Sequence, residues 1–199
     1  MSSAQQTRRR PRADYVRTRT TLLTAAGGLL EEHGTSFTLP DLARRAGVST
    51  ATTYRHFDDV HAVFEAYYVT LLDDLVDRFE AVSEDGDALT SFHAVCATWV
   101  QGARAWGRAA THIRSPRGYL ERLHEGTDPL LGRLDAVLRR CIDRLVADDA
   151  VPDVDRDLAV LTWITLFDER VVVDLTIGLG RSTTDVTRSL ARSVLHAWS

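Results

Sequence analysis

The sequence contains no lysine, and its 24 basic residues are all arginine. Every cationic contact to a phosphate or a base must therefore come from a forked guanidinium group that stays charged at physiological pH. Only two cysteines are present, Cys96 and Cys141, which excludes a disulfide scaffold. Both lie in apolar helical patterns, and we interpret them as buried free thiols.

Other absences narrow the class of protein further. The N-terminal segment is hydrophilic and lacks the apolar run of a secretory signal, so we expect a cytoplasmic location. The most apolar stretch, residues 158–177, reads as one helix but carries four charged residues near its middle, which argues against a membrane span. The sequence shows no strand pattern and no internal repeat, so the predicted fold class is all-α.

Residues 36–57 have the pattern of two short helices joined by a glycine turn. Thr38 is placed to cap the first helix, and Asp41 completes a capping box with it. Gly47 supplies the left-handed residue that ends this helix, and Ser49 caps the second. The second helix is small and polar on most faces, so we expect it to face water or the major groove of DNA. The residues that make it so are Thr50, Thr52, Thr53, Arg55 and His56.

The string Ala43-x-x-Ala46-Gly47-Val48-Ser49-x-x-Thr52-x-Tyr54-x-His56-Phe57 resembles the DNA-binding domain of the tetracycline-repressor (TetR) family. The resemblance covers roughly residues 17–67. It implies a homodimeric, ligand-responsive transcriptional repressor that binds a palindromic operator in double-stranded DNA. The residues expected to contact DNA are Thr38, Ser49, Thr50, Ala51, Thr52, Tyr54, Arg55, His56 and His61. At one position the chain departs from the family, because Val60 stands where the fourth helix commonly begins with a phosphate-binding lysine.

A basic arm precedes the first predicted helix. Residues 1–60 hold nine arginines and six acids, a balance of +3, whereas the whole chain has a net charge of −4. This asymmetry indicates that the N-terminal end meets a polyanion. We predict that residues 1–16 are disordered and that their arginines lie along the phosphate backbone or in the minor groove. These arginines are Arg8, Arg9, Arg10 and Arg12.

Two predicted helices of the N-terminal part have informative features. The first, from about Arg17 to His33, contains Gly27 and Gly28 in its middle. Each glycine costs about 1 kcal/mol relative to alanine in a helix interior, so close packing is expected there. The helix that follows Phe57 has some twenty residues and is long enough to belong to two domains.

We assign residues 17–62 to a three-helix helix-turn-helix domain and residues 63–199 to a helical bundle for ligand binding and dimerisation. Aromatic residues at helical spacing in this bundle predict a pocket for a hydrophobic or amphiphilic small molecule. The predicted lining residues are Phe92, Trp99, Trp106, Tyr119, Trp163, Phe167, Asp168 and Trp198. The predicted dimer contacts, in the last two helices, are Val171, Leu175, Val186, Leu190 and Val194.

A second, short resemblance concerns these last two helices. The strings Phe167-Asp168-Glu169-Arg170 and Leu195-His196-x-Trp198 are similar to one branch of the TetR family, that of the mycobacterial ethionamide-activation repressor. In that branch an asparagine at the position of Asp168 and a tryptophan at that of Trp198 line a long apolar tunnel. The resemblance therefore implies a ligand role for both positions.

Two alternatives stay open at this point. The first is an all-α small-molecule binding protein or enzyme whose N-terminal resemblance is incidental, with Asp168 and Glu169 as acid–base groups. The second is a constitutive DNA-binding module in which the aromatic residues are simply core. Our prediction is a regulator without enzymatic activity, cofactor or metal.

Overall fold

The computed structural model describes residues 6–82, 86–110 and 117–199, with side chains described outside residues 6–11 and 105–110. Within these ranges the regular elements are helices and no strand is formed, which confirms the predicted fold class. The helices are α1 (Gln6–His33), α2 (Leu39–Ala46), α3 (Thr50–His56), α4 (Val60–Glu80), α5 (Ala88–Ala110), α6 (Tyr119–Glu125), α7 (Pro129–Ala147), α8 (Arg156–Leu166), α9 (Glu169–Val173) and α10 (Thr183–Ala197). A single π-helical turn, Asp174–Gly178, continues α9.

The chain divides into two compact units, Met1–Val69 and Thr70–Ser199. The division falls between consecutive residues of α4, so this helix belongs to both units, as its predicted length suggested. The boundary predicted after residue 62 lies in the same helix.

Helix α1 is longer than the sequence predicted, because it begins at Gln6 rather than at about Arg17. Arginine is a good helix former, and an exposed ion pair between Asp14 and Arg17 (3.0 Å) joins successive turns of the added segment. The segment expected to be a disordered arm is therefore continuous with the helix from Gln6 onward. Further along α1, four apolar side chains form its buried face: Leu22, Ala26, Leu29 and Leu30.

The two glycines in the middle of α1 are closely packed, as predicted. A Cβ atom at Gly27 would lie 2.6 Å from the hydroxyl oxygen of Tyr67 in α4. A Cβ atom at Gly28 would lie 2.9 Å from Nη2 of Arg45 in α2, which Glu32 holds through two hydrogen bonds of 2.7 Å. Glycine thus permits two neighbouring helices to approach α1 closely.

Helix α5 carries the core of the C-terminal unit. It packs against α7, α9 and α10, while α8 packs against α7 and α10. The predicted inner stripe of α5 is buried, with Phe92, Val95 and Ala103 at most 3% exposed. At the surface of the same unit, Arg133 of α7 forms ion pairs with three carboxylates of α4, those of Asp73, Asp77 and Glu80.

The apolar stretch at residues 158–177 is not one helix, as the sequence predicted, but is divided at Phe167 and Asp168. The Asp168 carboxylate accepts a hydrogen bond of 2.9 Å from the backbone N–H of Arg170 and so caps a new helix, α9. Because aspartate competes for backbone donors, one residue interrupts a helix that apolar periodicity would continue. None of the described helices has both the length and the low charge that crossing a membrane requires.

Candidate functional site

Helix α2 and the turn after it fold as the sequence predicted. Thr38 accepts a hydrogen bond from the backbone N–H of Asp41 (3.4 Å), whose carboxylate accepts one from the backbone N–H of Thr38 (3.0 Å). The hydrogen bonds from Thr38 are the main reason that the pKa of Asp41 is lowered, so the capping box keeps its charge at neutral pH. Gly47 ends α2 in the left-handed conformation, with φ of 68°, and directs the chain into α3.

Helix α3 presents a polar surface. Ser49 caps it by accepting a hydrogen bond of 3.1 Å from the backbone N–H of Thr52. The exposed residues of this segment are Ser49, Thr50, Ala51, Tyr54 and Arg55, and Thr38 is exposed before α2. Thr52 and His56 are half-buried. Thr53 differs from the prediction, because it is fully buried and faces inward rather than towards water.

Hydrogen bonds on the exposed face of α3 hold its side chains in position. The hydroxyl oxygens of Ser49 and Thr52 lie 2.8 Å apart, and Nη2 of Arg55 donates to the Thr52 hydroxyl at 3.0 Å. A guanidinium group has five N–H donors, so this bond leaves donors for the two-pronged contact that a guanine accepts in the major groove. The arrangement can therefore present an oriented arginine to a base.

The C-terminal end of α3 is fixed by α1. Nη1 of Arg19 donates to the backbone carbonyl of His56 (3.1 Å), and the guanidinium lies 4.5 Å above the ring centre of Phe57. The ring of Tyr15 stacks on that of His56 with centroids 4.2 Å apart. Burial, together with the charges of Arg19 and Arg55, lowers the pKa of His56 below its usual 6.5, so the imidazole is neutral at pH 7.

Tyr15 and Arg19 were not predicted to belong to this site. No pattern in the sequence indicates their contact with α3, because both residues lie in a charged segment some forty residues before that helix. They reach His56 only in the folded chain. Of the predicted arm, Arg12 is exposed, whereas the side chains of Arg8, Arg9 and Arg10 lie outside the described residues.

His61 stands one residue after Val60, the first residue of α4. Its side chain is 62% exposed and lies 3.8 Å from the carboxylate of Glu65. The imidazole is therefore at the surface, where a phosphate could compete with the carboxylate for it.

Five predicted pocket residues form a packed aromatic cluster, defined here as Phe92, Trp99, Trp163, Phe167 and Trp198. The ring centroids of contacting pairs lie between 4.8 and 6.5 Å apart, and no ring is more than 7% exposed. Within the cluster, the indole nitrogens of Trp163 and Trp198 are buried, and the described residues offer neither of them an oxygen or nitrogen acceptor. The side chain of Trp106, also predicted to line the pocket, lies outside the described residues.

The two polar pocket candidates have partners within the chain. The Asp168 carboxylate, 9% exposed, accepts hydrogen bonds from Nε (3.2 Å) and Nη2 (3.4 Å) of Arg170 in addition to its cap. The hydroxyl of Tyr119 donates to Asp135 (3.2 Å), which also accepts 2.7 Å from Nε of Arg139. Burial, and next the charge of Asp135, raises the pKa of Tyr119, so the phenol stays protonated. These bonds fasten α6 to α7.

The residues predicted at the dimer interface fall into two groups. Val186, Leu190 and Val194 are at most 7% exposed, and their stripe packs inside the subunit because α10 lies against α5 and α8. Val171 is 37% exposed and Leu175 is half-buried. The structure therefore places only the second group at the surface of the described chain.

Residues 22–67 match the family model described as bacterial regulatory proteins, tetR family. The matched range contains α2, α3 and both of the capping motifs that position the exposed face. The N-terminal part of this chain therefore contains a DNA-binding domain of the TetR type.

The fold of this chain also agrees with solved structures over most of its length. FadR, a fatty acid degradation regulator from Bacillus halodurans, has a TM-score of 0.69 at 17% identity, covering 89% of this chain and 94% of that one. A TetR transcription regulator from Haloarcula marismortui has a TM-score of 0.69 at 20% identity, covering 92% and 98%. FadR from Bacillus subtilis, solved in complex with stearoyl-CoA, has a TM-score of 0.68 at 16% identity, covering 88% and 97%. No curated protein matches the sequence.

The match supports the prediction of a DNA-binding regulator. The N-terminal resemblance is therefore not incidental, as the enzyme alternative required. Asp168, which the enzyme alternative took as an acid–base group, caps α9 and pairs with Arg170.

Proposed function

We propose that this chain is a TetR-family repressor that binds a palindromic operator as a homodimer and leaves it when a mostly apolar small molecule binds the C-terminal unit. The observation that carries the DNA-binding part is the exposed, hydrogen-bonded face of α3, which holds Arg55 in place beside Thr52. A helix of this kind enters the major groove, with each subunit of a dimer reading one half-site.

Within the proposed complex the residues of the site have different roles. Thr38, Tyr54 and His56 would contact phosphates, because each carries a side-chain hydrogen-bond donor. Thr50 and Thr52 would lie at the groove. Arg55 is the residue suited to read a guanine, because its planar fork matches the two acceptors of that base.

The test replaces Arg55 by alanine after an operator has been selected from random duplexes. We expect the R55A variant to lose about 1 to 3 kcal/mol of binding free energy and to relax preference at one base position, measured by fluorescence anisotropy. The matched control is R44A, because Arg44 is 77% exposed on α2 and pairs with Asp41. Equal loss of R55A on operator and random DNA would show that Arg55 contacts only the backbone.

The ligand response is supported by the composition of the C-terminal unit. Its core holds the aromatic cluster, and FadR from Bacillus subtilis, which has a similar fold, was solved in complex with stearoyl-CoA. A ligand that prefers the DNA-free form a hundredfold would supply about 2.7 kcal/mol of coupling. All four tryptophans lie in the C-terminal unit, so their fluorescence reports binding there. Quenching and operator release over the same concentration range would support the response, and quenching without release would refute it.

Exposed apolar side chains support the homodimer. Leu158 is 65%, Ile177 48% and Leu179 65% exposed, in or near α8 and the π-helical turn. Together with Val171 they form the apolar surface proposed for contact with a second subunit.

A further inference from the structure

Two hydrogen-bond donors inside the aromatic cluster have no acceptor. The indole nitrogens of Trp163 and Trp198 are shielded from solvent, in residues that are 0% and 4% exposed, and neither has an oxygen or nitrogen acceptor among the described residues. The two indoles contact each other nearly perpendicularly, with ring centroids 5.6 Å apart. Each N–H has given up its hydrogen bond to water without a replacement, which is unfavourable in an apolar interior.

The polar group known to lie beside one of these donors is a poor acceptor. The indole of Trp163 is next to the thiol of Cys96. Burial, and next the nearby Cys141, raises the pKa of this thiol well above its usual value, so the sulfur stays neutral. A neutral thiol accepts hydrogen bonds only weakly. Within the described ranges, the donor of Trp163 thus has only the thiol of Cys96 beside it, and the donor of Trp198 has no hydrogen-bond partner.

We propose that the aromatic cluster opens to admit an uncharged apolar molecule with a carbonyl oxygen, which accepts hydrogen bonds from the indole N–H groups of Trp163 and Trp198. This inference rests on the proposed ligand response and specifies the chemistry of its ligand. A molecule that supplies an acceptor gains more from these donors than an alkane of the same length, because only the former satisfies them.

The charges in the core favour a neutral acceptor over a carboxylate. Among the described residues, the buried charged side chains are Asp135 and Asp168, and both are acidic. Arg170, which pairs with Asp168, has a side chain that is 53% exposed. A ligand carboxylate would therefore enter a core that, in the described part of the chain, holds two acidic side chains and no buried cation, whereas a ketone or ester carbonyl avoids that cost.

The test compares three probes of matched length on the full-length protein: 2-octanone, octanoate and octane. Affinity is measured by quenching of tryptophan emission and by calorimetry. We expect 2-octanone to bind about tenfold more tightly than octane, because a hydrogen bond to a buried donor has about that effect. Octanoate at pH 7.5 is expected to bind more weakly than 2-octanone.

Three ring-preserving variants separate the donors from the packing. W163F and W198F each remove one unpaired N–H and leave an aromatic ring, and they should reduce the preference for 2-octanone over octane. W99F is the matched control, because Trp99 belongs to the same cluster but its indole nitrogen is not both buried and unpaired. In ¹⁵N spectra of the wild-type protein, two of the four indole N–H signals should move downfield with 2-octanone and stay in place with octane.

The outcomes of these experiments test the ligand chemistry and the proposed ligand response separately. Equal affinity for 2-octanone and octane, tighter binding of octanoate, or no binding of any probe would overturn the inference. A preference for 2-octanone that W99F abolishes as strongly as W163F and W198F would also overturn it. Tight, donor-dependent binding without release of operator DNA would uphold the ligand chemistry and refute the proposed ligand response. Operator binding itself is measured without probes and does not depend on any of these results.

Discussion

His56 occupies the end of α3 with its ring against Tyr15 and its backbone carbonyl held by Arg19. Burial and the charges of Arg19 and Arg55 keep its pKa below 6.5 in the free protein. Protonation therefore opposes the fold, and the stability that neutral His56 contributes is present above pH 6.5 and is lost as the pH falls through the lowered value. A DNA phosphate next to the ring would act in the opposite direction and raise the pKa.

Because the protein lowers the pKa of His56 and a DNA phosphate would raise it, the affinity for the operator should depend on pH. If His56 contacts a phosphate, operator binding takes up a proton, so affinity should rise as the pH falls from about 7.5 to about 6, by at most tenfold per pH unit. Anisotropy titrations at constant ionic strength measure the slope. H56Q should flatten it, whereas H61Q, which removes an exposed histidine of α4, should leave most of it. A slope that survives in H56Q would show that His56 does not contact phosphate.

The contrast between Thr38 and Tyr15 shows which parts of the site the sequence could predict. The caps made by Thr38 and Ser49 join residues three apart, so their pattern is local and the structure confirms it. Tyr15 and Arg19 meet α3 only after the chain has folded, and nothing in their neighbourhood signals it. Thr53 was placed on the wrong side for a related reason, since a small polar residue can face either way until its neighbours are known.

At the scale of the helices, two glycines that look alike in the sequence should respond oppositely to alanine. Gly132 lies in α7 with no atom within 4 Å of a Cβ placed on it, so G132A should raise the free energy of unfolding by about 0.5 to 1 kcal/mol. At Gly27 the new Cβ would meet the Tyr67 hydroxyl at 2.6 Å, and G27A should unfold at a lower temperature than G132A. Thermal unfolding followed by circular dichroism compares them. Equal stabilisation by both would contradict the close approach of α1 and α4.

Because α1 begins at Gln6, deleting the basic arm would also shorten this helix. The role of the arm in DNA binding is therefore better tested by substitution. Replacing the four arm arginines by glutamine keeps helix propensity and removes charge. We expect the slope of log affinity against log salt to become shallower by up to about 0.9 for each phosphate that an arm arginine neutralises in the wild-type complex. The replaced residues are Arg8, Arg9, Arg10 and Arg12. The charge-matched control replaces four exposed arginines of the C-terminal unit, Arg104, Arg181, Arg188 and Arg192. An equal change in both variants would assign the effect to net charge.

The break between α8 and α9 marks the limit of periodicity as a predictor. Apolar residues continue on both sides of Asp168, so the hydrophobic pattern indicated one helix from 158 to 177. Whether an aspartate caps a helix or pairs within one depends on the donors that the fold brings to it, here the N–H and guanidinium of Arg170. The same dependence on neighbours separates the valines of α10, which face the core, from Val171, which does not.

At the scale of the whole molecule, the burial of the apolar stripe of α10 changes which residues could join two subunits. The stripe of α10 is needed inside each chain, because α5 and α8 cover it. The surface proposed for a partner is the exposed apolar set of Val171, Leu158, Ile177 and Leu179. These four side chains lie within residues 158–179, and a second copy of the chain would bury them.

Charge placed on this surface should therefore dissociate the proposed dimer. We expect the double variant Leu158→Glu with Leu179→Glu to sediment as a single chain of 22.2 kDa, while the wild-type protein sediments at twice that mass. Val69→Glu is the matched control, because Val69 is also an exposed apolar residue, 55% exposed, but lies in α4 of the N-terminal unit. A palindromic operator offers two half-sites, and a single chain fills one, so the double variant should also lose operator affinity while keeping its helical content. If the double variant stays dimeric and folded, the interface lies elsewhere; if it is monomeric yet binds the operator like the wild-type protein, the half-sites are read independently and the palindrome is not required.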